Sequence, residues 1–118
     1  MRYILLVFLG GGLGAVLRYL IAHFLGNIHL PLPTFIANML GCFLIGLSMP
    51  FFLAKAGSVE WRLFIITGFL GGLTTFSTFT YETIQLLENT TTIFAIANVL
   101  GNVLCGLAAA MLGIWLMR

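Results

Sequence analysis

The sequence predicts an all-α integral membrane protein with four transmembrane helices per chain. Of its 118 residues, 61% are hydrophobic and 7% are charged, and the mean hydropathy is +1.15. A soluble domain is about 45–50% apolar and about 25% charged, so this chain lacks the polar residues that a water-facing surface needs. The apolar residues fall into four runs, each near the length of about 20 residues that spans a bilayer. A soluble enzyme is therefore excluded.

The four predicted spans form a single transmembrane domain over residues 1–118. The first covers about 3–25, and the second covers about 33–54 after a Pro-Leu-Pro turn. The third covers about 61–87 and the fourth about 91–117. All four are expected to be helices, because lipid admits only helices and closed barrels and no strand alternation is present. Since four helices are little material for a closed pathway, we expect the chain to oligomerise.

The basic residues predict the orientation of the spans. Four of the five fall on the side of the two termini, namely Arg2, Lys55, Arg62 and Arg118. The opposite loops, around 26–32 and 88–91, contain no Lys or Arg. The positive-inside rule then places both termini in the cytoplasm. The net charge of +2, with no basic run, gives no indication of a nucleic-acid partner.

The third span carries the strongest signal for an ion site. Gly71 and Gly72 are followed by five hydroxyl residues within seven positions: Thr74, Thr75, Ser77, Thr78 and Thr80. Glycines ease unwinding of a helix in lipid, and hydroxyls can bond to the backbone groups that unwinding frees. A helix broken there exposes carbonyls that can hold a cation and amides that favour an anion.

Two aromatic residues in the same segment favour an anion. Phe76 and Phe79 are three positions apart, so their rings project from one face of a helix. Ring edges carry partial positive charge and can face a small anion. Helix packing is the alternative, because Gly68 and Gly72 form a small-xxx-small face and paired phenylalanines are common in cores.

Amides in two other spans extend the polar pattern. Asn38 lies within the second span, where an amide is costly unless it is hydrogen-bonded. Its NH₂ group can donate to an anion or bond to a neighbouring helix. Asn98 and Asn102 lie one turn apart on the fourth span. With polar groups at mid-depth in three spans, the sequence predicts a polar pathway.

One arginine and one glutamate accompany these polar residues. Arg18 lies inside the first span, and an intramembrane arginine indicates a functional site unless it reaches the headgroups. Glu82 is the only carboxylate near a span interior. The chain has no Ser-His-Asp set, no H-E-x-x-H and no C-x-x-C, so nothing supports catalysis.

Three motifs together resemble the Fluc (CrcB) family of bacterial fluoride channels. They are Gly-Gly-x-x-Gly-Ala-x-x-Arg-Tyr ending at Tyr19, Thr-Phe-x-x-Asn-x-x-Gly at 34–41, and Gly-Phe-x-Gly-Gly-x-Thr-Thr-Phe-Ser-Thr-Phe at 68–79. The resemblance covers nearly the whole chain. It implies passive fluoride export across the bacterial inner membrane, which protects the cell from fluoride. It also implies an antiparallel homodimer with two pores, a broken third helix and a structural sodium ion at the dimer centre.

The resemblance also implies roles for individual residues. The sodium ion would be bound by the backbone carbonyls of Gly71 and Thr74. The fluoride pore would be lined by Asn38, Phe76, Phe79, Ser77, Thr80 and Thr34. Arg18 would lie in a vestibule and Glu82 near a pore mouth.

Two departures from the family pattern leave alternatives open. Many members carry Tyr and Ser where this chain has Asn98 and Asn102, so the contribution of the fourth span is open. Insertion in both orientations favours a balanced Lys/Arg distribution, whereas here the count is four against none, or four against one if Arg18 belongs to the far side. We therefore also consider a heterodimer with a homologue whose Lys and Arg residues lie mainly on the opposite side of the membrane.

Two other functions are alternatives to a channel. An accessory subunit without a pathway of its own would not need the Phe76, Phe79 and Asn38 constellation. A small proton-coupled multidrug transporter has a similar size, but it needs a membrane-embedded glutamate in the first span, and this span has no acidic residue.

Overall fold

The four apolar runs form four long helices. A computed structural model describes residues 1–26, 30–54 and 57–118, so Lys55 lies outside the described residues. Within these ranges, four helices are long and apolar enough to span a membrane: Arg2–Leu25, Leu32–Leu53, Val59–Asn89 and Thr92–Leu116. The same ranges contain no strand. The predicted all-helical class with four potential spans is confirmed.

The third span is a bent helix made of joined segments. It begins with the helix Val59–Arg62, continues as a π-helix over Leu63–Leu70 and ends its first part with Gly71–Leu73. Thr74 and Thr75 are both extended, with φ −80° and ψ 152° at the first and φ −149° and ψ 116° at the second. We call these two residues the junction. The helix Phe76–Asn89 follows. That two half-helices frame a bound ion stays a prediction.

Glycines bring the first and third spans into backbone contact. A Cβ atom added at Gly10 would lie 2.2 Å from the Phe64 carbonyl oxygen, and one at Gly14 would lie 2.0 Å from that of Phe69. No side chain larger than hydrogen fits at either position without a shift of the backbone. The first span is thus held directly against the segment that leads into the junction.

The second and fourth spans also pack through glycines, and they run parallel in a fixed register. Gly46 lies against the backbone of Ala110, and Gly106 lies against Cys42. Each pair is separated by 64 residues, as are Asn38 and Asn102, which share a hydrogen bond one turn earlier. This register therefore places the amides of the second and fourth spans at the same depth.

The interior of a single chain is small. Its buried apolar residues are few, and the cluster nearest the junction consists of Ala37, Leu70 and Leu73. Large apolar side chains on the first and fourth spans, such as Phe8 and Trp115, are 73% and 69% exposed. In a bilayer such surfaces face lipid or another chain.

The glycine contacts give a matched pair of variants on one helix. Gly14→Ala is expected to destabilise the protein by about 1–3 kcal/mol, because its methyl group meets the Phe69 backbone. Gly12→Ala is the control, since a Cβ at Gly12 has nothing within 4 Å. Thermal melting in detergent, followed by size-exclusion chromatography, measures both. Equal melting temperatures for the two variants would contradict the close contact.

Candidate functional site

Thr75 organises the junction through its side chain. It is only 7% exposed, and its Oγ1 accepts the Thr78 N–H at 3.2 Å, which caps the helix Phe76–Asn89. The same hydroxyl donates to Thr78 Oγ1 at 3.1 Å and lies 3.2 Å from Ser77 Oγ. A threonine cap satisfies an amide that has no partner within the helix. The hydroxyl-rich stretch in the sequence therefore lets a new helix begin inside the span.

The side-chain amide of Asn38 pairs with the backbone of Thr75. Its Oδ1 accepts the Thr75 N–H at 2.9 Å, and its Nδ2 donates to the Thr75 carbonyl at 3.4 Å. In a continuous helix the Thr75 N–H would bond to the carbonyl of Gly71, four residues earlier. Asn38 takes that place and satisfies the extended backbone, which lipid could not do.

The junction leaves carbonyl oxygens at the end of a helical segment. Gly71 is exposed, and its carbonyl loses the Thr75 N–H to Asn38. The Thr74 carbonyl accepts from Arg18 Nη1 at 3.3 Å, while Thr74 Oγ1 donates to Leu70 O at 2.9 Å. Such helix ends carry partial negative charge. The Gly71 carbonyl thus lies at a helix end that favours a cation, whereas the Thr74 carbonyl already bonds to the cationic Arg18.

The two phenylalanines lie at the start of the next helical segment. Their ring centroids are 5.5 Å apart and the ring planes are tilted by 48°. Phe79 is 9% exposed, whereas Phe76 is 80% exposed. Both line a cavity of about 420 Å³ together with Asn38, Gly71 and Thr74. Five of the predicted site residues therefore meet at this place, which we call the junction cavity.

The predicted vestibule residues share a second cavity of about 500 Å³. Arg18 and Glu82 both line it, and so does Thr34. Thr34 Oγ1 donates to Glu82 Oε1 at 2.7 Å, and Glu82 Oε2 is buried with no hydrogen-bond partner among the residues that the structure describes. We call this space the Arg18–Glu82 cavity. It places both signs of charge near the junction, with Arg18 reaching the Thr74 carbonyl.

The two remaining predicted pore residues lie on an exposed face. Ser77 and Thr80 are exposed in the single chain, and neither lines the two cavities just described. Thr80 Oγ1 donates to the Phe76 carbonyl on its own helix at 2.9 Å. Within one chain they are therefore not brought together with Asn38.

Sequence reasoning missed part of the polar network. Asn102 Oδ1 accepts from Asn38 Nδ2 at 3.2 Å, and Asn98 Nδ2 donates to Thr83 Oγ1 at 2.9 Å. The one-turn spacing of Asn98 and Asn102 indicated a shared face, but not its partner. Thr83, like Thr75, had no predicted role of its own, and only the packing of the third span against the fourth brings Thr83 to Asn98.

The sequence matches the family described as CrcB-like protein, Camphor Resistance (CrcB), over residues 5–114. That match extends over nearly the whole chain. The chain belongs to the CrcB family. The three motifs from which the resemblance was inferred thus identify the family correctly.

Relatives of this CrcB chain carry a functional name. A protein of Serratia proteamaculans is 43% identical, covering 96% of this chain and 94% of the relative. One from Methanococcus maripaludis is 46% identical over 96% and 93%, and one from Clostridium perfringens is 48% identical over 92% and 88%. Each is called fluoride-specific ion channel FluC. The family is thus one of ion channels and not of enzymes, and the multidrug-transporter alternative is set aside.

The cap at the junction can be tested by stability. Thr75→Ala is expected to cost about 0.5–2 kcal/mol, because it removes the acceptor for the Thr78 N–H. Thr91→Ala is the matched control: Thr91 precedes the last helix but its side chain makes no capping bond. Thermal melting of both variants in detergent measures the difference. An equally large loss of stability in Thr91→Ala would show that the capping bond of Thr75 does not account for the effect.

Proposed function

We propose that this CrcB chain forms a fluoride-selective channel that lets fluoride leave the cell passively and so lowers its toxicity. The names of the relatives indicate that the conducted ion is fluoride. The observation that carries the proposal is the junction cavity, where a phenylalanine pair, an asparagine and a helix start meet at mid-span. No covalent step is needed, because conduction requires only that fixed groups replace water around the ion.

The junction offers several kinds of group to an anion. The helix Phe76–Asn89 begins there, and the positive end of its dipole points into the span. Thr75 caps the Thr78 amide, so the Phe76 and Ser77 amides remain in the uncapped first turn. Ring edges of Phe76 and Phe79 add partial positive charge. Hydroxyls of Ser77 and Thr80 continue the polar face along the same helix.

The Arg18–Glu82 cavity is proposed as the vestibule of this pathway. The guanidinium of Arg18 attracts anions toward the junction, since it is always charged. Thr34 and Glu82 form a hydrogen-bonded pair in the lining of the same cavity. A carboxylate next to an anion path raises the energy of an anion that stops there, which favours onward movement over tight binding.

We propose that the carbonyl groups at the junction would hold a sodium ion. Sodium prefers oxygen ligands, and unwound backbone at mid-membrane provides them in other transport proteins. Gly71 would contribute the carbonyl freed by Asn38. Thr74 would contribute a carbonyl that has a second lone pair beside its bond from Arg18. Such an ion would supply a fixed positive charge beside the anion path.

The exposed polar face supports assembly with a second chain. Gly71, Ser77 and Thr80 are exposed within the third span, and Phe76 is 80% exposed. Polar groups and unpaired carbonyls facing lipid at mid-depth are costly. A second chain packed antiparallel against this face, either another copy or a homologue, would cover them and complete two pores. The remaining apolar surface of the dimer would face lipid.

The orientation of each chain bears on the identity of that second chain. We propose a multi-pass protein of the bacterial plasma (inner) membrane, with the basic termini in the cytoplasm. Arg2 and Glu60 form an ion pair, so the starts of the first and third spans lie on one side. A chain with this charge bias that inserts in one direction needs an oppositely oriented homologue to form an antiparallel dimer.

Fluoride efflux from liposomes tests the channel directly. Wild-type protein reconstituted alone is expected to release fluoride to an electrode. Phe76→Ile removes a ring edge, and Asn38→Asp replaces an amide donor by a negative charge, so each is expected to lower efflux by about tenfold or more, equivalent to about 1.4 kcal/mol in the barrier. Phe8→Ile is the control, because Phe8 is similarly exposed but lies on the first span away from both cavities.

The outcomes of this experiment separate three conclusions. If Phe76→Ile, Asn38→Asp and the control Phe8→Ile all conduct like the wild type, the chain is a fluoride channel but the pore residues are assigned wrongly. If wild-type chain alone gives no efflux but a second homologue restores it, the channel is a heteromer. If the wild-type chain releases no fluoride either alone or with a homologue, the chain is not a fluoride channel.

Labelling from the two sides of the membrane tests the orientation. In a Cys42→Ser, Cys105→Ser background, single cysteines are added next to Met1 and Arg118. An impermeant thiol reagent is applied to inside-out and right-side-out vesicles. We expect labelling mainly from the cytoplasmic side, because the basic residues cluster at that side. Equal labelling from both sides would rule out one-way insertion and favour the homodimer.

A further inference from the structure

Hydrogen bonds connect the second, third and fourth spans in one continuous series. Asn38 Nδ2 donates to Asn102 Oδ1 at 3.2 Å, and Asn102 Nδ2 donates to the Asn98 carbonyl at 3.0 Å and to Asn98 Oδ1 at 3.2 Å. Asn98 Nδ2 donates to Thr83 Oγ1 at 2.9 Å, and Thr83 Oγ1 donates to the Phe79 carbonyl at 2.8 Å. We call this series the amide relay.

Backbone groups at the two ends fix the direction of the amide relay. At one end the Thr75 N–H can only donate, so Asn38 must present Oδ1 to it and turn its Nδ2 toward Asn102. At the other end the Phe79 carbonyl can only accept, so the Thr83 hydroxyl donates to it and is free to accept from Asn98. If the side-chain amide of Asn102 or Asn98 were rotated by about 180°, its NH₂ group would face another NH₂ group. Each side chain therefore holds the next in one orientation.

We propose that Asn102 is a positioning residue that acts through Asn38. Its Oδ1 accepts the second Nδ2 hydrogen of Asn38, which keeps the Asn38 Oδ1 on the Thr75 N–H and so holds the junction extended. The relay ends on the carbonyl of Phe79. The fourth span is thus bonded to the junction through Asn38 and to the helix Phe76–Asn89 through Thr83. The effect on transport rests on the proposed fluoride channel, whereas the effect on the junction does not.

Packing of the fourth span gives Asn102 the rigidity that this role requires. One turn further along, Gly106 contacts Cys42, and the next turn brings Ala110 against Gly46. These contacts prevent the fourth span from rotating or sliding relative to the second. Asn102 lies in the lining of the junction cavity and is intermediate in exposure.

Hydrogen exchange at the Thr75 amide tests the proposal independently of transport. Asn102→Leu removes the acceptor for Asn38, so exchange in a peptide containing Thr75 is expected to rise about tenfold, with little change in the ends of the spans. Asn38→Ala should raise it at least as much. Asn89→Leu is the matched control, because among the described residues the Asn89 amide donates only to Gln85 on its own helix. Exchange is followed by mass spectrometry on the full chain in nanodiscs.

A double-mutant cycle separates an action through Asn38 from a direct one. Fluoride efflux and Thr75 exchange are compared in Asn38→Ala, Asn102→Leu and the double variant. If Asn102 acts through Asn38, the double variant is no worse than Asn38→Ala alone. If the effects add, Asn102→Leu changes Thr75 exchange and fluoride efflux by the same factor, about tenfold, in wild-type and in Asn38→Ala protein. That result would overturn the proposal and make Asn102 an independent contributor.

A milder variant covers the case in which Asn102→Leu does not fold. Thr83→Val is nearly isosteric and removes the acceptor of Asn98 at the far end of the relay. It is expected to raise Thr75 exchange in the same peptide by a smaller factor. Unchanged exchange in Thr83→Val, or in a folded Asn102→Leu, would overturn the relay. Wild-type protein that shows a protected Thr75 but no fluoride efflux would overturn the proposed channel and leave the relay standing.

Discussion

The pairing between the Asn38 amide and the Thr75 backbone is the interaction on which the site depends. Thr74 still donates its N–H to the Leu70 carbonyl, but the Thr74 carbonyl and the Thr75 N–H have no helical partner in the middle of the span, and lipid offers no hydrogen bonds. Asn38 supplies both a donor and an acceptor to one residue. Because it takes the Thr75 N–H, it also frees the Gly71 carbonyl. The Asn38 side chain therefore satisfies the Thr75 backbone within the membrane and leaves the Gly71 carbonyl without its helical donor.

Other features of the fold serve to hold that pairing in place. Glycines bring the first span against the third and the second against the fourth at backbone distance, so the positions of the helices are set by contact between main chains. The first pair carries Arg18 to the Thr74 carbonyl, and the second pair carries Asn102 to Asn38. The junction is consequently held from both sides. A helix that shifted by one turn would lose one of these contacts.

The electrostatic arrangement follows from the same geometry. One helical segment ends at the junction and another begins there, so a carbonyl end and an amide end lie within a few residues of each other. The carbonyl end favours a cation and the amide end favours an anion. Phe76 and Phe79 stand at the amide end, and the Arg18–Glu82 cavity adds side-chain charges. This separation of charge within one span requires no cluster of acidic or basic residues, which agrees with the 7% charged composition.

The sequence by itself determined the four spans, their class and the family, because apolar runs of bilayer length and three motifs are local properties of the chain. It also marked Gly71, Thr74, Phe76 and Phe79 as a group, since they lie within nine residues. Only the tertiary structure decided what Asn38, Asn98 and Asn102 do. Periodicity can show that an amide faces the interior, but not which of its atoms meets which partner. That depends on the depth at which parallel helices are locked, and here main-chain contacts at glycines fix that depth.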